Sequence, residues 1–220
     1  MNDPILITGC ARSGTSLIAG IVNMCGAFGG KMSGPTPNNK KGMFENVYIR
    51  DKLVKPYLKN LGADPLGQGP LPTFEQIVAH PFVNLGFEVD KVMSKEGFKK
   101  GPWFYKGAKM CLVWTQWAKA FPKAQWVIVR RKDEDIIASC LRTSFMRKYT
   151  NEEGWQKWVN HHKGCFHEMR LSMPDQLVEI WPEEVIKGDL EPIKNMISWL
   201  GLKWNDTKIR ELIAPELWHV

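Results

Sequence analysis

The chain has 220 residues, 44% of them hydrophobic and 24% charged, with 30 Lys and Arg against 23 Asp and Glu for a formal net charge of +7. That length and balance describe one domain, 1–220, with a sizeable core, and exclude a disordered or fibrous chain. No apolar run approaches the ~20 residues of a membrane span and no cationic stretch precedes an apolar leader, while five scattered cysteines without zinc spacing read as reduced thiols in a cytoplasmic protein. The positive charge favours an anionic partner, and a nucleotide cofactor uses fewer of these spread charges than a nucleic acid would.

Pro4-Ile5-Leu6-Ile7-Thr8 reads as a short buried strand, and Leu17 to Cys25 as a helix with one apolar stripe. Gly26 to Gly42, rich in Gly, Pro, Asn and Lys, reads as an irregular loop. Phe44-Glu45-Asn46 then leads into a helix carrying Val47, Val54, Leu58 and Leu61. A second loop spans Gly62 to Pro72. Thr73 and Gln76 form a capping-box pattern for a short helix, and Pro81 can start another that reaches about Lys95. Trp103-Phe104-Tyr105-Lys106 reads as a second strand, followed by helix with Leu112, Val113, Trp117 and Ala118 inward. Gln125-Trp126-Val127-Ile128-Val129 is apolar without alternation, as a strand covered on both faces should be. Asp133 to Arg147 reads as helix, and Thr150 with Glu153 suggests the cap of the next one. Leu177-Val178-Glu179-Ile180 and Val185-Ile186 read as short strands, and Glu191 to Leu200 as a helix with Pro192 at its start and Gly201 past its end. Strands alternating with helices predict an α/β domain with a mostly parallel sheet.

Between the first strand and its helix lies Gly9-Cys10-Ala11-Arg12-Ser13-Gly14-Thr15-Ser16. Gly9 and Gly14 have the spacing of a Walker A loop, but Thr15 stands where an NTPase has its phosphate-binding lysine. Such an enzyme also needs a carboxylate at the end of a central strand to hold magnesium, and here the strand ends in Arg130-Arg131. Both departures argue against ATP or GTP hydrolysis. What remains is a loop whose amides can wrap a 5′-phosphate at a helix N-terminus, with Arg12 as its cation. Arg131, with Ser139 eight residues on, could grip a second phosphate through a guanidinium fork and a hydroxyl. Taken alone, the same two residues read more simply as an ordinary strand-end arginine and a helix serine.

Taken in order, these segments resemble the sulfotransferases that use 3′-phosphoadenosine 5′-phosphosulfate (PAPS). Ala11-Arg12-Ser13-Gly14-Thr15-Ser16 after a buried strand is similar to their 5′-phosphosulfate loop, with arginine in the loop as in the tyrosylprotein branch. The stretch from Trp126 to Ser139 is similar to their 3′-phosphate motif, in which an arginine ends a central strand and a serine follows eight positions later. Gly42-Met43-Phe44-Glu45-Asn46 resembles a G-x-(F/W)-E segment of the bacterial branch, and Trp103-Phe104-Tyr105-Lys106-Gly107-Ala108-Lys109 resembles its W-x-W-K-D-P-R strand end. Lys187-Gly188-Asp189-Leu190 and Trp199-Leu200-Gly201-Leu202 resemble late Y-E-D-L and F-L-G-L segments, so the likeness runs from residue 5 to about residue 218.

The resemblance implies a single α/β domain, with a parallel sheet flanked by helices in the P-loop nucleotide-kinase-like manner, and PAPS lying across the C-terminal strand ends. It assigns Arg12, Ser13, Gly14, Thr15 and Ser16 to the 5′-phosphosulfate, and Arg131 and Ser139 to the 3′-phosphate. The acceptor, a small molecule, sugar or peptide offering a hydroxyl or amine, would sit among residues 30–48 and the helices between 73 and 100. Sulfuryl transfer requires a base for the acceptor proton and cations for the sulfuryl oxygens and the departing phosphate; it requires no metal. Arg12 and Lys106 are the candidate cations. Glu45 is the candidate base or, alternatively, a capping carboxylate at a helix start. Lys106 can also be read as a solvated strand-end lysine, and Lys109 is a further cation. Two features depart from the family. No histidine follows the second strand, and Gly107 replaces the aspartate of the bacterial pattern. These changes keep open a nucleotide- or nucleic-acid-binding protein of the same fold without transfer chemistry, and beside it a phosphotransferase. His161, His162 and most of the tryptophans are expected to pack.

Overall fold

Among the described residues, four segments form one parallel sheet: β1 (Ile5–Gly9), β2 (Phe104–Lys106), β3 (Gln125–Val129) and β4 (Leu177–Ile180), in the order β2-β1-β3-β4. The computed structural model describes residues 3–36 and 39–213; the Pro37-Asn38 tip of the first loop, the end of the resemblance at 214–218, and His219 lie outside them. β1 and β3 are central. Leu6, Ile7, Trp126, Val127, Ile128 and Val129 are all fully buried, so neither strand has a polar face and the sequence shows no alternation. Ile7 pairs with Lys106 and Gly9 with Val129, so β1, β2 and β3 finish side by side at their C-terminal ends.

Successive side chains of a strand point to opposite faces, and the packing follows that period. Ile5, Ile7, Val127 and Val129 share one apolar cluster with residues of α1 (Thr15–Met24), α9 (Glu191–Trp199) and α10 (Asp206–Leu212). Leu6, Trp126 and Ile128 share the other. It is built with α2 (Lys55–Asn60), α3 (Phe74–Ala79), α4 (Leu85–Lys95), α5 (Trp114–Ala120), α6 (Asp133–Arg142) and α7 (Glu152–Ser172). Aromatic rings fill that second layer: Tyr105 stacks on Trp117 with centroids 4.9 Å apart, and Trp155 meets Trp158 edge-on at 5.5 Å. Among the described residues, no helix is long and apolar enough to cross a membrane.

Several boundaries differ from the sequence reading, each for a local reason. Val185-Ile186 is not a strand; it ends α8 (Pro182–Ile186), which Pro182 starts and whose first turn holds Glu183 and Glu184. The helix expected to reach Arg147 stops at Arg142, where Thr143 turns extended and its hydroxyl donates to Ser139 O at 2.6 Å. Val47 is 38% exposed and stands in the first turn of the helix, which widens into a π-turn over Ile49–Val54. There the Lys55 N–H reaches back to Arg50 O, just ahead of Pro56, which has no N–H to give. The long helix α7 is capped by Asn151, whose side chain accepts from the Gly154 N–H at 2.9 Å, rather than by Thr150 and Glu153. The box at Thr73 and Gln76 forms as its pattern predicts.

His162 is a core residue of α7. Its Nδ1–H donates to Trp158 O at 2.9 Å and its ring packs on Trp158. Burial lowers its pKa to about 4 from an ordinary 6.5. The unfolded chain therefore binds the proton first as pH falls, and stability should drop between pH ~6.5 and ~4 by up to about 3 kcal/mol. Urea unfolding across that range should show the loss in the parent protein and a flatter profile in His162→Gln. An equal slope in both would assign the acid sensitivity to other groups.

Candidate functional site

The sheet's C-terminal edge gathers the residues singled out by the sequence. β1 ends in Gly9, where an added Cβ would lie 2.5 Å from Val129 O, so glycine lets the chain turn off β1 hard against β3. The loop then uses two left-handed residues, Arg12 at φ 74° and Gly14 at φ 92°. Gly14 leads into α1, which has neither a side-chain cap nor an acidic residue in its first turn. First-turn amides of a helix have no intrahelical acceptor, so Thr15 and Ser16 sit at a pole that favours an anion. Ser13 faces inward: its N–H goes to Cys10 O at 3.1 Å, and its hydroxyl is buried without a hydrogen-bond partner among the described residues, toward Gly9. Cys10 is buried and burial pushes its thiol far up, which makes it a packing group rather than a nucleophile.

Arg131 leaves β3 and turns toward this loop, with only 6% of its surface exposed. Its Nη1 donates to Arg12 O at 3.0 Å, and its Nε lies 3.8 Å from Asp135 Oδ2 and 3.9 Å from Glu183 Oε1. Burial lowers the Arg131 pKa, with the two carboxylates acting against that. Ser139, on α6, accepts from Arg12 Nε at 3.0 Å. The two expected halves of the site therefore touch twice, through the Arg12 carbonyl and through its guanidinium. Arg130 faces elsewhere. It pairs with Glu179 at 3.2 Å, and its guanidinium lies 5.6 Å from the ring centres of Phe166 and of Trp181.

A third group forms where β2 ends. The segment before Glu45 is tied down at its base: Phe28 bridges to Trp103, Met32 bridges to Asn46, and the Ser33 N–H donates to Glu45 O at 2.9 Å. Asn46 is the helix cap, its Oδ1 accepting from the Ile49 N–H at 3.0 Å, and the Val47 N–H goes to Lys31 O. Glu45 is thereby left free of the helix. Its carboxylate, 3% of the residue exposed, lies between two ammonium groups, Lys106 Nζ at 3.9 Å and Lys109 Nζ at 4.0 Å. Burial lowers the Lys106 pKa, Glu45 works to raise it, and Lys109 and Arg50 lower it further. Lys106 is thus a buried cation of the site rather than a solvated strand end. Gly107 follows, with its carbonyl accepting from Thr8 Oγ1 at 3.0 Å and its N–H donating to Ile7 O. A Cβ at Gly107 would come within 3.0–3.2 Å of the Tyr105 hydroxyl and ring.

The sequence reading left Asp135 and Glu183 unassigned. Asp135 had a signal, since it stands four residues after Arg131 at a helix start. Glu183 had none, because only the end of its helix, Val185-Ile186, was given an element, and that as a strand. Among the described residues, no group of three or more His, Cys, Asp and Glu side chains is arranged to hold a metal ion.

No protein-family model matches the chain, and no curated protein matches it by sequence. Solved structures do. The chain is similar to sulfotransferase STF1 from Mycobacterium tuberculosis H37Rv, with 14% identity and a TM-score of 0.53 over 97% of this chain and 71% of that one. It is similar to the sulfotransferase domain of the Synechococcus PCC 7002 olefin synthase, with 12% identity and a TM-score of 0.62 over 99% and 86%. It is also similar to sulfotransferase STF9 from Mycobacterium avium, with 12% identity and a TM-score of 0.54 over 96% and 67%. At these identities the likeness establishes the fold: this is the α/β fold of the bacterial sulfotransferases, as the ordered motifs implied.

Proposed function

We propose that the protein transfers a sulfuryl group from PAPS to a hydroxyl or amine of a small-molecule, sugar or peptide acceptor, without a metal. The observation that supports this reading is the pair of contacts joining Arg12 to Arg131 and Ser139, because it brings the residues proposed for the two phosphates together. The uncapped start of α1 and Arg12 fit a 5′-phosphosulfate; Arg131 and Ser139 fit a 3′-phosphate. PAPS would supply the sulfuryl group together with a leaving nucleotide phosphate. Arg12 and Lys106 would stabilise negative charge on the sulfuryl oxygens and that phosphate. A guanidinium stays protonated near neutral pH, so Arg12 acts by charge and hydrogen bonding and not as an acid. Glu45, held beside both lysines, would take the acceptor proton. Residues 30–48 and the helices between 73 and 100 would form the acceptor side.

Calorimetric titration tests the donor site. Adenosine 3′,5′-bisphosphate should bind at least about tenfold more tightly than AMP, because a charge-assisted arginine contact contributes roughly 1.5–3 kcal/mol. Arg131→Ala should abolish that preference and leave AMP binding nearly unchanged. Equal affinity of the parent protein for both nucleotides would remove the reading. A second reading, a binding protein without transfer, draws on Gly107 and on the missing histidine. Tight bisphosphate binding with no turnover of PAPS across a broad acceptor panel would favour it.

A further inference from the structure

The proposed 3′-phosphate site contains its own anions. Arg131 Nε faces Asp135 and Glu183 at 3.8 and 3.9 Å, distances at which charges interact strongly in a poorly hydrated setting although no hydrogen bond forms. Asp135 is one helical turn from Arg131 on α6, a fixed neighbour. Glu183 comes from a different element, the five-residue helix α8, which is followed by Gly188 at φ 95°. The Glu183 Oε1 atom is buried and has no hydrogen-bond partner among the described residues. It has given up water without a hydrogen bond in return, so its hold on Arg131 is purely charge on charge, and such a contact is readily displaced.

Resting on the donor reading above, we propose that Glu183 is a specificity-determining residue of the second anion site: its carboxylate competes with the nucleotide 3′-phosphate for Arg131 and limits affinity for 3′-phosphorylated nucleotides. The charge count argues the direction. Arg131, Arg12 and Arg142 bring three positive charges, and Asp135 and Glu183 offset two of them. A 3′-phosphate entering this set makes the site net negative unless a carboxylate withdraws. Asp135 is anchored in a helical turn beside its partner, whereas Glu183 sits on a short helix between β4 and α9. Glu183 is the group that yields. The same repulsion shortens the residence of the desulfated product, which also carries the 3′-phosphate.

The test reads a ratio, the AMP dissociation constant divided by that of adenosine 3′,5′-bisphosphate, by calorimetry on the full chain. Glu183→Gln should raise that ratio about tenfold over the parent, the effect of one charge contact worth about 1.4 kcal/mol. In an Arg131→Ala background the same change should do nothing, because the carboxylate acts through Arg131. Glu183→Ala removes the same charge and decides the matter if Glu183→Gln is poorly folded by thermal unfolding. An unchanged or lowered ratio in both single variants overturns the inference. The donor reading fails separately: if parent and Glu183→Gln both bind the two nucleotides with equal affinity, the donor assignment falls and the competition with it, whereas a parent preference that Glu183→Gln leaves unchanged removes the competition alone. Absence of binding for both nucleotides in parent and variants overturns both.

Discussion

Glu45→Gln should lower kcat by about 10²–10⁴-fold, the usual contribution of a positioned base, while adenosine 3′,5′-bisphosphate binds at least as tightly as before. The substitution keeps the shape of a side chain packed between Lys106 and Lys109 and removes its charge. Two ammonium groups then face each other without their shared anion, so the site becomes more positive and nucleotide binding should not weaken. The cost falls on the fold as well, because breaking a buried ion pair typically costs 3–5 kcal/mol when one partner is removed outright. Thermal unfolding must therefore accompany the kinetics. A folded variant with turnover within a few-fold of the parent would move the base to another group or to the acceptor itself.

Arg12→Ala should lower kcat by about 100-fold or more and weaken bisphosphate binding by much less. The side chain sits at the mouth of the phosphate loop on a left-handed residue, with its Nε on Ser139. If its task is charge stabilisation during transfer, the loss belongs to the transition state and appears in kcat at saturating donor. Arg12→Lys keeps the charge but loses the fork and should recover part of the rate. Unchanged turnover in Arg12→Ala would make the guanidinium a structural tie between the loop and α6. Alanine itself is strained at φ 74°, so bisphosphate affinity in both variants serves as the check that the loop still closes.

Much of this was legible in the chain. Four uninterrupted apolar residues at β3, a strand feeding a glycine loop at β1, and the interval from Arg131 to Ser139 each have a physical signature over a short span. What escaped was of two kinds. Short elements were misread where local pattern is ambiguous: Val185 and Ile186 are β-branched residues that look like strand, but Pro182 and two glutamates set a helix start before them. Contacts between distant segments had no local signal. Nothing near Lys109 announces that it shares Glu45 with Lys106, and nothing near Glu183 announces Arg131. Asn46 taking the helix cap could not be separated from Glu45 doing so, since both residue types serve that role.

The close approach of Gly107 to Tyr105 changes what the missing aspartate means. Position 107 is an aspartate in the bacterial pattern, and its absence reads at first as the loss of one functional group. Here a Cβ would come within 3.0–3.2 Å of the Tyr105 hydroxyl and ring, tighter than an ordinary contact, and that ring is stacked on Trp117. Residues 105, 107 and 117 therefore pack as one unit, and an aspartate placed at 107 would press on Tyr105 by a few tenths of an ångström, against its stack on Trp117. Grafting the family residue alone onto this scaffold would disturb the strand that presents Lys106. Trimming Tyr105 in the same protein would relieve that contact, so the two positions are better changed together than one at a time.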